Sequence, residues 1–233
     1  MEIFGIDVSH HQGKIDWAKT ASELRRVNGG ENPGFALVRL GKSNTNGKGG
    51  LVVDEQWENN LAGCETNGVP MGVYFYCYDQ SVAAAVQTTH DVVDRLKGHK
   101  FSFPIIFDME YEDFNTGEEE TDPEKKRPIE EVRATNTGMI QAALEILEHE
   151  GFYAMLYCSR DFFLRFTDLS ELAEYDKWEA AYVSEDTKEI INGIWQFSSK
   201  NPFGIAGFGS ELDCDIAYKD YPAIIQRAGL NGF

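Results

Sequence analysis

Short apolar runs alternate with amphipathic stretches through the first two thirds of the chain. Strands are expected at residues 3–8, 35–40, 71–77, 103–109 and 153–158, each bounded by Gly, Pro, Asn or charged residues. Between them, apolar residues recur at helical spacing. Asp16 is placed to cap a helix that turns Trp17, Ala21, Leu24 and Val27 to one face. A second helix is expected over 54–66. Ser81 opens a third, with Val82, Ala85, Val86, Val93 and Leu96 as its buried stripe. A fourth covers 129–150 and stops at Gly151; a fifth covers 160–174 with a break near Thr167.

The rhythm then changes. Residues 177–183, 194–197 and 212–217 read as three more strands separated by loop-like segments. Five strand–helix units followed by three strands lacking full helices imply an α/β fold, built as a TIM-like barrel with an incomplete helical ring. A doubly wound open sheet is the alternative. No repeat or linker divides the chain, so residues 1–233 are expected to form one catalytic barrel domain. Residues 112–124, rich in acid and Gly, read as a solvated loop inserted after the fourth strand.

Composition narrows the function. With 42% hydrophobic and 26% charged residues the chain is an ordinary globular one. Its 21 basic and 39 acidic residues leave a net charge of −18, which argues against nucleic acid and against anionic membranes as partners. Four cysteines, Cys64, Cys77, Cys158 and Cys214, form no C-x-x-C pair and read as buried reduced thiols, with one or two disulfides as the alternative. The segment Met1-Glu2-Ile3-Phe4 lacks the features of a secretion signal. Either the protein is made without one, or a signal has been trimmed.

In such a barrel the reacting groups sit at the carboxyl ends of strands. Asp7 ends the first strand, Asp108 and Glu110 end the fourth, and Asp213 and Asp215 lie on the eighth. Asp108 and Glu110 face the same way about 6.5–7 Å apart. Two carboxyl groups so close at the end of an apolar strand push at least one pKa upward, as general acid catalysis at a glycosidic oxygen requires. Tyr74, Tyr76, Trp178, Tyr182, Trp195 and Phe197 crowd the same rim. Trp195 and Phe197 read as core. Trp178 and Tyr182, with Gln196 as a polar partner, suit the apolar faces and hydroxyl edges of sugar rings. His10 and His11 are adjacent in a segment read as extended, where side chains diverge, so no metal and no other cofactor is expected. No phosphate-binding loop and no G-x-S-x-G elbow is present.

These residues resemble the glycoside hydrolase family 25 lysozymes, the Chalaropsis-type N-acetylmuramidases. The opening Asp7-Val8-Ser9-His10-His11-Gln12-Gly13-Lys14-Ile15-Asp16-Trp17 is similar to the family's D-V-S-x-x-Q-G-x-I-D-W. Phe35-Ala36-Leu37-Val38-Arg39, Gly72-Val73-Tyr74-Phe75-Tyr76 and Pro104-Ile105-Ile106-Phe107-Asp108-Met109-Glu110 resemble its second, third and fourth strands. Trp178-Glu179-Ala180-Ala181-Tyr182, Trp195-Gln196-Phe197 and Asp213-Cys214-Asp215 follow in the family's order. The resemblance implies a lysozyme or endolysin that hydrolyses the β-1,4 bond between N-acetylmuramic acid and N-acetylglucosamine in peptidoglycan. It implies a catalytic cluster of Asp7, Asp108, Glu110 and Asp213, with Glu110 as general acid and Asp108 orienting the substrate's acetamido group. Tyr74 matches a site tyrosine; Arg39, where the family's second strand ends in Lys or Arg, completes the expected substrate-binding set with Tyr76, Trp178, Tyr182 and Gln196.

Two positions depart from the family pattern: Phe75 stands where a His is usual, and Asp215 where an Asn is usual. Chitinases of family 18 are disfavoured because Ile106 occupies a position where their motif needs Asp. A catalytically inactive wall-binding barrel and a metal-dependent barrel hydrolase are the rival classes. The expected partner is the peptidoglycan glycan strand and the expected state a monomer. The expected place of action is the cell wall, reached by a phage endolysin through a holin or by a secreted autolysin.

Overall fold

The computed structural model describes residues 2–117 and 126–233. In chain order the elements are β1 (Ile3–Val8), α1 (Trp17–Val27), β2 (Phe35–Ser43), β3 (Leu51–Val53), α2 (Trp57–Asn67), β4 (Met71–Tyr76), α3 (Val82–Leu96), β5 (Ile105–Asp108), α4 (Asp113–Thr116), α5 (Ile129–His149), β6 (Ala154–Ser159), α6 (Arg160–Phe166), β7 (Asp176–Ala180), β8 (Ile194–Lys200), β9 (Glu211–Ala217) and α7 (Tyr221–Ala228). All strands except β3 join one closed barrel, in which β1 pairs with both β2 and β9. Five β/α units are followed by three strands without helices between them, as the sequence pattern implies.

The barrel is mixed rather than all parallel. β9 runs antiparallel to both β8 and β1. A parallel return needs a crossover of about a dozen residues. The connection 181–193 between β7 and β8 is long enough and those strands are parallel; the loop 201–210 between β8 and β9 is shorter and forms a hairpin-like return. The start of β9, not its end, therefore lies at the rim where the parallel strands finish.

Alternation along the strands divides the core in two. Ile3, Phe35, Leu37, Ile106, Met155, Trp178, Ile194 and Ala217 fill the barrel, and Phe103 with Tyr221 and Ile225 of α7 close its lower end. Ile6, Val8, Val38, Val73, Phe107, Leu156 and Cys214 face outward to the helices. Phe35 stacks on Phe103 at 4.4 Å between ring centroids. Gly5 makes room for this stack, because a Cβ there would lie 2.5 Å from the Phe35 ring.

Asp16 and Ser81 cap α1 and α3 as expected, accepting from the N–H of Lys19 and of Ala84. The buried face of α3 is Ala84, Ala85, Thr88, Thr89, Val92, Val93 and Leu96, so Val82 is exposed instead of buried. Helix α2 begins at Trp57, not at Asp54, whose carboxylate is held by β2. Residues 113–116, read from sequence as solvated loop, form a helical turn in which Asn115 and Thr116 are buried. The remainder of the acidic run, residues 118–124, lies outside the described residues. All four cysteines are free and buried. Among the described residues no helix is long and apolar enough to cross a membrane.

Candidate active site

The rim of the barrel encloses a cavity of about 540 Å³. Its lining includes all ten candidate residues: Asp7, Arg39, Tyr74, Tyr76, Asp108, Glu110, Trp178, Tyr182, Gln196 and Asp213. Asp7 near the end of β1 stands in register with Asp213 near the start of β9. Asp108 ends β5 between Tyr76 of β4 and Tyr157 of β6. The backbone there is fixed on both sides: Cys77 N–H donates to the Asp108 carbonyl at 2.8 Å, and Met109 N–H to that of Tyr157 at 3.1 Å. Glu110 follows as the strand ends.

Gln196 organises one wall. Its Nε2 donates to Asp7 Oδ2 at 2.8 Å, while its Oε1 accepts from Tyr157 and Tyr182 hydroxyls at 3.0 and 2.9 Å. Tyr182 remains 59% exposed and forms an open aromatic face. Trp178 is almost completely buried against Tyr74 and Tyr157 and forms the floor. Its indole N–H donates to Asp215 Oδ1 at 2.8 Å. Asp215 is thus fully buried beneath Asp7, whereas Asp213 is the β9 carboxylate that lines the cavity.

Burial and mutual repulsion keep protons on this cluster. Glu110 is pushed up to about 7 by burial, then by the charges of Asp213 and Glu112, against the opposing pull of Arg39. Asp213 is pushed up to about 6 by burial and Glu211, with Lys200 opposing. Burial also drives Asp7 and Asp108 well above the usual carboxylate range, aided by Asp215 and Asp213 for the first and by Glu110 for the second. Asp108 Oδ1 is buried without a hydrogen-bond partner among the described residues.

Arg39 is anchored. Its Nε donates to Asp54 Oδ2 at 2.8 Å, and Asp54 also accepts from the His10 N–H at 3.2 Å and the Gln56 N–H at 2.9 Å. Burial alone would raise the Asp54 pKa, but these hydrogen bonds outweigh it and hold the carboxyl below its usual range. His10 and His11 do not diverge as expected of extended backbone. They sit in a 3-10 turn capped by Ser9, with rings 4.1 Å apart, and the Arg39 guanidinium contacts His10 Nδ1. Among the described residues no group of three or more His, Cys, Asp or Glu is placed to hold a metal ion.

A larger cavity, about 620 Å³, lies at the opposite end of the barrel around Tyr153, Asp176, Lys177 and Ile191. Two of its charged groups are engaged: Lys177 Nζ donates to the Leu172 and Tyr175 carbonyls, and Asp176 accepts from the Tyr153 and Tyr221 hydroxyls and from Lys219. The carboxylate cluster at the rim is the candidate site.

The family model for glycosyl hydrolases family 25 matches residues 6–204. The chain belongs to this family. No curated protein sequence matches it. Among solved structures, the modular autolysin LytC of Streptococcus pneumoniae superposes with a TM-score of 0.73 at 22% identity, over 93% of this chain and 47% of that one. The chain thus spans about half the length of that autolysin. The lysozyme of Streptomyces coelicolor gives 0.65 at 17% identity, over 97% and 96% of the two chains. The catalytic domain of an endolysin from a Listeria monocytogenes bacteriophage gives 0.66 at 18%, over 97% and 98%.

Both departures from the family 25 pattern are accommodated away from the open cavity. Phe75 faces the helices and packs edge-on against Phe107 at 5.3 Å. Asp215 lies below the floor. Tyr157, Asp54, Lys42 and Glu112 were not singled out from sequence. Tyr157 was legible in principle, since it lies two residues beyond inward-facing Met155 on the same strand.

Proposed function

We propose that this family 25 protein is a lysozyme that hydrolyses the β-1,4 bond between N-acetylmuramic acid and N-acetylglucosamine, acting at the cell wall. The observation that carries the reading is the graded carboxyl cluster. Glu110, at about 7, holds a proton where Asp213, at about 6, has begun to lose its own. One group can protonate the departing sugar oxygen while another supplies negative charge to an oxocarbenium-like transition state. Asp108 offers a buried oxygen that has no hydrogen-bond partner among the described residues. A substrate amide N–H, such as that of an acetamido group, would supply one and relieve the cost of burial. Tyr182 provides an open face for a sugar ring, and Gln196 holds Asp7 in place.

The test is digestion of purified peptidoglycan followed by mass spectrometry of the new ends. Reducing N-acetylmuramic acid ends are expected, undiminished by EDTA. Reducing N-acetylglucosamine ends, free peptides, or loss of activity with chelator would overturn the reading.

A further inference from the structure

The alternation of β2 is broken beside the site. Ala36, Val38 and Leu40 face the helices, while Phe35 and Leu37 face the barrel interior. Strict alternation would send Lys42 outward with the first set. The pairing with β4 shows why it does not go there: Arg39 is opposite Tyr74, Gly41 opposite Phe75 and Lys42 opposite Tyr76. Leu40 is an extra residue, a β-bulge, and beyond it the faces exchange. Lys42 is thereby turned to the same side as Arg39 and lines the cavity. The bulge is tied to the β3 hairpin, because Gly41 lies so close to it that a Cβ would be 2.3 Å from the Val52 carbonyl oxygen.

The charge so delivered is unspent. The Arg39 guanidinium is neutralised by buried Asp54. Lys42 has no ion pair among the described residues; its ammonium stands 5.5 Å from the centre of the Tyr78 ring. Tyr78 in turn packs against Tyr76 at 4.8 Å. In a chain of net charge −18, a half-buried lysine with no carboxylate partner among the described residues is turned into the cleft by a backbone irregularity. The carboxylates Asp7 and Asp213 line the same cavity from β1, which pairs with β2, and from β9 beyond it.

We propose that Lys42, backed by Tyr78, is a binding subsite for a carboxylate carried by the glycan. This rests on the lysozyme reading and extends it: the subsite sets which way round the strand lies, with its acidic sugar on the β2–β4 side. Two sources share this chemistry. One is the lactyl carboxylate of muramic acid where no peptide is attached; the other is a carboxylate of the attached stem peptide. An ammonium that meets such a group in a half-buried cleft makes a charge-assisted hydrogen bond, stronger than a neutral one.

The experiment compares wild type with Lys42→Met and Lys42→Arg on two glycans, one bearing stem peptides and one stripped of them. Each glycan is used with its carboxylates free and capped as neutral amides. Capping should cost wild type and Lys42→Arg about 10-fold in kcat/KM, mainly through KM, the size of one charge-assisted hydrogen bond. Lys42→Met should show that loss on free glycan already, with no further loss on capping. An effect on stripped glycan assigns the lactyl carboxylate; an effect confined to stem-bearing glycan assigns the peptide. Equal sensitivity to capping in wild type and Lys42→Met overturns the subsite, as does a wild type indifferent to capping on both glycans. If wild type releases no reducing muramic acid ends from any glycan, the lysozyme reading itself has failed and the subsite falls with it.

Discussion

Asn115 donates from Nδ2 to the main-chain carbonyl of Glu110 at 2.7 Å. The same side chain accepts from the Glu112 N–H at 2.9 Å, and the main-chain carbonyl of Asn115 accepts from Asn136 Nδ2 at 2.8 Å. Asn136 Nδ2 also donates to the Phe166 carbonyl at 3.0 Å. A line of buried amides thus ties α5 and the end of α6 to the backbone that aims the proposed acid. Replacing Asn115 with Ala should cost about 1–3 kcal/mol of stability, as buried groups lose their partners. It should also lower kcat roughly 10-fold or more by loosening Glu110. Chemical denaturation and turnover on wall glycan check both; a folded variant with wild-type kcat would remove Asn115 from the mechanism.

Activity should form a bell in pH. The acid limb follows ionisation of Asp213, near 6, and the alkaline limb follows loss of the Glu110 proton, near 7. Glu110→Gln keeps the shape but has no proton to give, so kcat should fall at least about 10²-fold. Asp108→Asn should also impair turnover. Wall lysis across pH 4–8 by each variant is the measurement. A Glu110→Gln variant lysing at near wild-type rate would mean that another group is the acid.

Stability should depend on pH in a direction set by the same groups. Glu110 and Asp213 hold their protons more tightly in the folded chain than an unfolded one would. Their contribution is complete at low pH and is lost as pH rises through about 6 and then about 7. Asp54, held below its usual range, acts oppositely and loses its contribution as pH falls through its depressed value. Thermal unfolding should therefore show a lower Tm at pH 8 than at pH 5. Glu110→Gln combined with Asp213→Asn should flatten that slope, and an unchanged slope would show that it arises elsewhere.

The Arg39–Asp54 pair should be the costliest polar contact at the rim to break. The Asp54 side chain is fully buried and joins β2, the 3-10 turn and the start of α2. Asp54→Ala leaves the Arg39 charge uncompensated, and a loss of about 3 kcal/mol or more is expected. Urea denaturation measures it. Removal of both charges in Arg39→Met with Asp54→Leu should recover part of the loss.

Much of the barrel is legible because strands buried on both faces leave unbroken apolar runs, such as Phe103-Pro104-Ile105-Ile106-Phe107. The rim carboxylates are legible because they end those runs. Other features are not. β3 is only three residues long, too short for any periodicity to show. Helix α7 carries its signals openly, with Asp220 as cap, Pro222 in the first turn and Gly229 as stop, yet it lies beyond the last strand, outside the alternation of strands and helices that marks the barrel. The bulge at Leu40 depends on β3 pressing against Gly41, a relation between segments that no local pattern encodes. Asp54 looks like a helix opener from its neighbours and becomes a buried counter-ion only once β2 lies beside it.

The barrel closes by pairing its first strand with its last, and this gives the chain a timetable. On a ribosome, β1 emerges early and has β2 for a neighbour, but its other edge stays open until β9 follows. Asp7 and Asp213 cannot meet before that. A nascent chain halted ahead of residue 211 would carry Asp7, Asp108 and Glu110 without their facing carboxylate, along with an unpaired strand edge. Such intermediates should be inactive and prone to associate, and the hydrolase should gain its activity in one late step. Activity and protease resistance of stalled chains of increasing length would reveal it.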